Sequence, residues 1–337
     1  MQAESLTTAQ LAGQRLMAGF LGAEANQDLR YLIRTLKVGG VILFSRNIGT
    51  PSRLRSLCSF IQEYASSCGQ PPLFIAVDQE GGVVSRLSPP YTQFPGNPFI
   101  RTETEAREFG DITGNELSRT GINMNMAPVL DVAPPGFASI MAERMFGRDP
   151  AHVAQMGALV IRHLQNQGIM AVAKHFPGIG RTTLDSHHEL PDLDASLQKL
   201  EAFDLRPFLA AIRNGAAAVM LSHIRYPRID PHWPASLSAE ICGNLLRRKI
   251  GYSGLVLTDD LDMGAISRHY DIGTIVSRLF AATIDIALIC HSASAIEAAA
   301  AKMQRLIESE STLRAEALCS ANRIAKLKNA YIRQPAY

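Results

Sequence analysis

Cysteine, charge and long apolar runs are all scarce in this chain of 337 residues. Its five cysteines, Cys58, Cys68, Cys242, Cys290 and Cys319, are odd in number, scattered, and never spaced as C-x-x-C, so neither a disulfide framework nor a thiolate zinc site is indicated. Charged residues make up 19%, and the 33 Lys and Arg nearly balance the 31 Asp and Glu. With no basic run, the concentrated footprint of a nucleic-acid or membrane-surface protein is missing. No stretch approaches the roughly 18 apolar residues of a membrane span. The start, Met-Gln-Ala-Glu-Ser-Leu-Thr-Thr, has no basic segment followed by an apolar one, so a cytoplasmic protein is expected. A strand-following G-x-G-x-x-G and a full Walker pattern are also absent, which weighs against a nucleotide cofactor.

What the chain does have is apolar residues, 47% of the total, enough for a sizeable core. They come in short runs that alternate with helical patterns. The candidate strands are Gln14 to Phe20, Gly40 to Phe44, Leu73 to Val77, Ile122 to Val132, Met170 to Ala173, Ala216 to Leu221, Gly254 to Thr258 and Ile284 to Ile289. Between them lie helices opening at Thr50-Pro51, Glu103, Asp149-Pro150, Leu200 and Ser238, and a closing helix runs from Ala293 to about Ile332. Strands apolar on every residue imply a parallel sheet covered on both faces. About eight of them imply an α/β fold, a single (β/α)8 TIM-type barrel, over one domain of residues 1–337; an open doubly wound sheet is the competitor.

The densest chemistry lies between Met170 and Pro191. An apolar strand delivers Lys174 and His175, Pro177, Gly178 and Gly180 break it, and Asp185, His187, His188 and Glu189 follow within five positions. In a barrel all strand C-termini share one mouth, so Asp78, Lys174, His175 and Asp259, each at a strand exit, should meet there. Separated carboxylates with a lysine, arginines and an Asp-x-His pair suit glycoside hydrolysis. Asp259 is then the nucleophile, held where an apolar strand stops, with Asp260 as its rival. His187 is the acid/base, since an imidazole titrates near working pH, and Asp185 fixes its tautomer. The same Asp/His/Glu cluster is compatible with a metal site, although no second cluster supplies the remaining ligands; no metal and no cofactor are expected.

Lys174-His175-Phe176-Pro177-Gly178 with Asp185-Ser186-His187, Asp78-Gln79-Glu80-Gly81-Gly82 and Thr258-Asp259-Asp260-Leu261-x-Met263 together resemble glycoside hydrolase family 3, specifically its cytoplasmic β-N-acetylhexosaminidases. The resemblance runs from about residue 15 to about residue 290. It implies that Asp259 forms a covalent glycosyl-enzyme, that His187 assisted by Asp185 is the acid/base, and that Asp78, Arg86, Arg144, Lys174 and His175 bind the sugar. Arg144 opens an Arg-x-Phe-Gly-x-Asp-Pro motif. The implied substrate is a terminal β-linked N-acetylglucosamine on a small carbohydrate such as a cell-wall fragment, handled by a monomer or weak oligomer with no nucleic-acid or membrane partner. The family's β-glucosidases take an acid/base glutamate from a second domain, for which this chain has no room, so the hexosaminidase branch is expected. Val83, Glu143 and Ile179 depart from the family's usual residues and bear on the aglycone more than on the reaction. Three alternatives stay open: a phosphorylase, since neutral His187 would not repel phosphate; a β-glucosidase-like hydrolase; and a non-catalytic sugar-binding barrel.

Overall fold

The structure, a computed structural model, describes residues 3–186 and 188–332. Eight parallel strands form a closed barrel in chain order: β1 (Leu16–Ala18), β2 (Gly40–Leu43), β3 (Phe74–Val77), β4 (Met124–Asn125), β5 (Met170–Phe176), β6 (Ala218–Leu221), β7 (Leu255–Asp260) and β8 (Ile286–Ile289). Each strand pairs with the next, and β8 returns to β1 with Ala287 opposite Leu16. The expected (β/α)8 barrel is what the chain forms.

Strand side chains alternate between two apolar compartments, because successive residues of a strand point to opposite faces. Met17, Ile42, Phe74, Ala76, Met170, Val172, Met220, Leu255, Leu257, Ile286 and Leu288 fill the barrel interior. Their neighbours Leu16, Val41, Ile75, Ala171, Val219, Val256 and Ala287 face the helices. The inward parity of β3 and β5 continues to Asp78 and Lys174, and that of β7 to Asp259. Polar groups at the mouth are thus the next inward positions beyond a packed apolar interior.

Helices form the outer layer. Thr50 caps the helix Pro51–Ser67 by accepting the Arg53 N–H, and Thr102 with Glu105 makes a capping box at Glu103–Thr120. Pro150–Asn166 starts on the Asp149 cap. Glu240–Lys249 is wound with wider i→i+5 bonds, as from the Ile250 N–H to the Leu245 carbonyl at 2.9 Å.

Several boundaries differ from expectation. Gln14 belongs to a helix, Thr8–Gln14, and the first strand begins at Leu16. The expected fourth strand from Ile122 shrinks to Met124–Asn125, because Pro128 has no N–H for the ladder; only a bridge between Val129 and Lys174 resumes it. Lys174 and His175 lie inside β5, which runs on to Phe176. The closing helix is two, Ala293–Ser309 and Ser311–Tyr331, separated by an extended Glu310. The first presents Ile296, Ala299, Met303 and Ile307 to the wall, whereas the second sends Ile324, Leu327 and Tyr331 against the barrel interior. One straight helix cannot do both. Among the described residues no helix is long and apolar enough to cross a membrane.

Candidate active site

At the C-terminal ends of the strands opens a cavity of about 360 Å³. Of the eight residues singled out in the sequence, Asp78, Arg86, Arg144, Lys174, His175 and Asp259 line it. Asp185 does not: it is exposed in the loop after β5, where its carbonyl accepts the His188 and Glu189 N–H groups. His187, the expected acid/base, lies outside the described residues. Its loop is nevertheless anchored beside the cavity wall, because the Ser186 carbonyl accepts the Ala265 N–H at 3.1 Å and Arg268 donates to the His188 carbonyl at 3.1 Å.

Two irregularities in the barrel concentrate the chemistry. From Ala173 to Phe176, β5 advances three residues while β6 advances two, from Val219 to Leu221. From Leu257 to Asp260, β7 likewise advances three while β8 advances two, from Ile286 to Leu288. An extra residue of this kind breaks the strict alternation of side chains. Both Lys174 and His175, and both Asp259 and Asp260, therefore reach the same cavity.

Charge is closely compensated. Lys174 Nζ sits 3.0 Å from Asp78 Oδ1 and 2.6 Å from Glu80 Oε1. Arg144 grips Glu80 with two bonds of 3.0 and 2.8 Å, and Arg86 approaches Asp78 at 3.4 Å. Burial opposes ionisation of Glu80, yet Lys174 and Arg144 override it and bring its pKa down to about 2. Burial also works against the Lys174 cation, but Glu80 and Asp78 leave its pKa raised. His175 Nδ1 lies 2.7 Å from Asp131 Oδ2, a carboxylate that is fully buried. That contact fixes the ring and points Nε2 away from Asp131.

Glu80 and Asp131 were not assigned roles from the sequence. Glu80 had a usable signal, since it shares the inward parity of Phe74, Ala76 and Asp78. Asp131 follows an interrupted strand, where parity carries no information. The Gly178-Ile179-Gly180 segment has a packing role. A Cβ on Gly180 would lie 2.1 Å from the Val132 carbonyl oxygen, and the Ile179 N–H donates to Asp131 at 2.8 Å. Arg225 and Arg228 clamp Asp192 and Asp194 with paired bonds at the foot of the loop that carries residue 187.

Enclosure in the barrel would raise the pKa of Asp259, but His175, His223, the Asp260 N–H and Lys174 more than offset this and hold it low. An ionised, oriented carboxylate results. Asp260 is the opposite case: burial first, then Asp262 and Asp259, push it up to about 7, against N–H bonds from Asp262 and Cys290. A carboxyl with a folded pKa above its unfolded one favours the fold at low pH, and that contribution is lost as pH rises from about 4 through about 7. Asp260→Asn keeps an acceptor for both N–H groups and removes the titration. Its thermal stability relative to wild type should climb across that window and level off above about pH 8, by roughly 2–4 °C per kcal/mol relieved. An offset that does not change with pH would contradict this.

Among the described residues no group of three or more His, Cys, Asp and Glu side chains is arranged to hold a metal ion. All five cysteines are free.

The glycosyl hydrolase family 3 N terminal domain matches residues 7–327. A beta-hexosaminidase of Pseudomonas aeruginosa is 33% identical over 295 residues, covering 86% of either chain. Beta-hexosaminidase A of Pseudoalteromonas piscicida is 34% identical over 320 residues, 84% of this chain but 54% of its own length. This chain thus spans about half of that relative. A family 3 β-N-acetylglucosaminidase structure from Paenibacillus sp. superposes with a TM-score of 0.93 at 37% identity, over 99% of this chain and 64% of that one. With a match over nearly all of its length and the barrel in common, the chain belongs to glycosyl hydrolase family 3.

Proposed function

We propose that the protein is a retaining glycoside hydrolase that removes terminal β-linked N-acetylglucosamine through a glycosyl-enzyme on Asp259. What carries this is Asp259, its pKa held low, at a barrel mouth that it shares with Asp78, Arg86, Arg144, Lys174 and His175, beside the anchored residues Ser186 and His188. The relatives named beta-hexosaminidase support the same substrate.

In this reading Asp78, Arg86, Arg144, Lys174 and His175 grip the sugar hydroxyls and acetamido group and present C1 to Asp259. Attack by Asp259 forms the ester while His187, oriented by Asp185, protonates the leaving oxygen. Neutral His187 then takes a proton from the water that hydrolyses the ester. Water is favoured over phosphate as acceptor, because Lys174 and Arg144 are already held by Asp78 and Glu80, and the cavity adds the Asp262 carboxylate. The reading extends to cell-wall fragments as substrate and to a cytoplasmic, single-barrel enzyme acting as a monomer or weak oligomer.

The test is nitrophenol release from the β-N-acetylglucosaminide and the β-glucoside, with and without phosphate. Turnover of the acetamido sugar alone, unaffected by phosphate, is expected. Acceleration by phosphate would make the enzyme a phosphorylase, preference for the glucoside would make it a glucosidase, and turnover of neither would leave a binding protein. His187→Ala should slow cleavage of poor alkyl leaving groups by about 10²–10⁴-fold in kcat/KM and activated aryl ones far less. Equal losses on both would remove His187 from the acid role.

A further inference from the structure

Beside the catalytic cavity lies a larger one, of about 700 Å³, to which nothing above assigns a use. It is walled by the loop after β1, the helix Gln27–Arg34, and the N-terminal turns of Ala293–Ser309. The two cavities share Cys290 and His291. Their partition is a stack of three side chains: the Phe44 and His291 rings lie 5.2 Å apart, and the Arg46 guanidinium sits 4.5 Å over Phe44. Arg46 is held there by the Phe20 and Cys290 carbonyls, each at 3.1 Å.

The second cavity is joined to the side of the first on which Ser186 and His188 are anchored. The loop bearing residue 187 is tied to Ala265 and Arg268. Just before them Asp262 and Met263 line the catalytic cavity, and the Asp262 carboxylate accepts the His291 and Ser292 N–H groups at 2.7 and 3.0 Å. A continuous wall therefore leads from Ser186 and His188, which flank residue 187, to the second cavity.

Its lining is amphipathic. Phe20, Leu32, Leu36 and Ile296 supply an apolar floor, and two exposed apolar side chains stand at its rim, Leu21 at 66% and Tyr31 at 42% exposure. Large exposed apolar groups beside a cavity mark a surface that binds something. Asp28 and Glu297 provide carboxylates, the latter interacting with Tyr31, while the one arginine has donors committed to backbone carbonyls.

We propose that this cavity is the aglycone site, taking a leaving group whose apolar arm ends in a cation such as a primary amine. The assignment rests on the glycosidase reading above. The arm lies on the apolar floor and under Tyr31, and the amine meets Asp28 and Glu297. Binding energy gathered there is remote from the bond being cleaved and appears in kcat/KM.

The experiment compares the methyl, hexyl and 6-aminohexyl β-N-acetylglucosaminides on wild type, Tyr31→Ala and the double variant Asp28→Asn/Glu297→Gln. In wild type kcat/KM should rise about tenfold or more from methyl to hexyl, as methylenes leave water, and several-fold again for the amine. The double variant should lose the second gain and keep the first; Tyr31→Ala should reduce the first. A flat series in wild type, or gains untouched by the substitutions, would overturn the site. If no glycoside is turned over, the glycosidase reading fails by itself, and calorimetry with the 6-aminohexyl glycoside decides the site. Binding weakened by the double variant keeps the cavity as a site for that chemistry, and no binding removes it.

Discussion

Asp259→Asn is expected to lower kcat on the nitrophenyl β-N-acetylglucosaminide by roughly 10³–10⁵-fold, about 4–7 kcal/mol of barrier, with little change in KM. The amide is close in shape, and its oxygen can still accept the Asp260 N–H that now reaches Asp259 at 2.9 Å. It has no charge with which to form the glycosyl ester. The same substitution at Asp260 should be far milder, since that carboxyl, pushed up to about 7, is already neutral over much of the working range. A double-displacement site at Asp259 thus predicts unequal effects from two adjacent aspartates. Comparable losses at both positions, or a larger one at Asp260, would reassign the nucleophile.

The largest effect on stability is expected from Glu80→Gln. Glu80 is 2% exposed and lies between Lys174 and Arg144, and Lys174 is itself buried. Removing one member of such a cluster leaves a buried cation short of its counter-charge, at a cost of about 3–5 kcal/mol. For a domain of this size that lowers Tm by on the order of 10 °C. The sign of the pH dependence follows from the lowered pKa. A carboxylate depressed to about 2 contributes stability above its unfolded value near 4.5, and that contribution is lost as pH falls from about 4.5 to about 2. The gap between wild type and Glu80→Gln in thermal melts should therefore be full at pH 7 and nearly closed at about pH 2. Activity should fall as well, because Lys174 and Arg144 both lose the group that positions them. A variant as stable as wild type at pH 7 would show that Asp78 alone suffices for Lys174.

The barrel was legible in the sequence because its determinants are local. Short all-apolar runs between amphipathic helices give strand count, sheet type and the end at which polar residues emerge, and six of the eight chosen site residues meet in one cavity for that reason. The rest depends on tertiary context. The extra residues in β5 and β7 are defined only against their neighbouring strands, so the sequence could not show that Lys174 and His175, or Asp259 and Asp260, face the same space. Glu80 carried a parity signal, but its importance lies in Arg144, 64 residues away. Asp131 matters because His175 and Ile179 are folded against it. The helix Gln27–Arg34 was overlooked because it shows just one short apolar face, Leu29, Leu32 and Ile33, which packing completes. The break at Glu310 is likewise a consequence of where two segments pack.

The most direct measurement is to trap the intermediate with a fluorinated N-acetylglucosaminyl donor bearing an activated leaving group, then locate the label by peptide mass mapping. One adduct of the sugar's mass on Asp259, absent from Asp259→Asn and released slowly on adding acceptor, is the expected result. Label on Asp260 or another carboxylate, or turnover of the donor with no adduct and inversion at C1, would contradict a double displacement at Asp259.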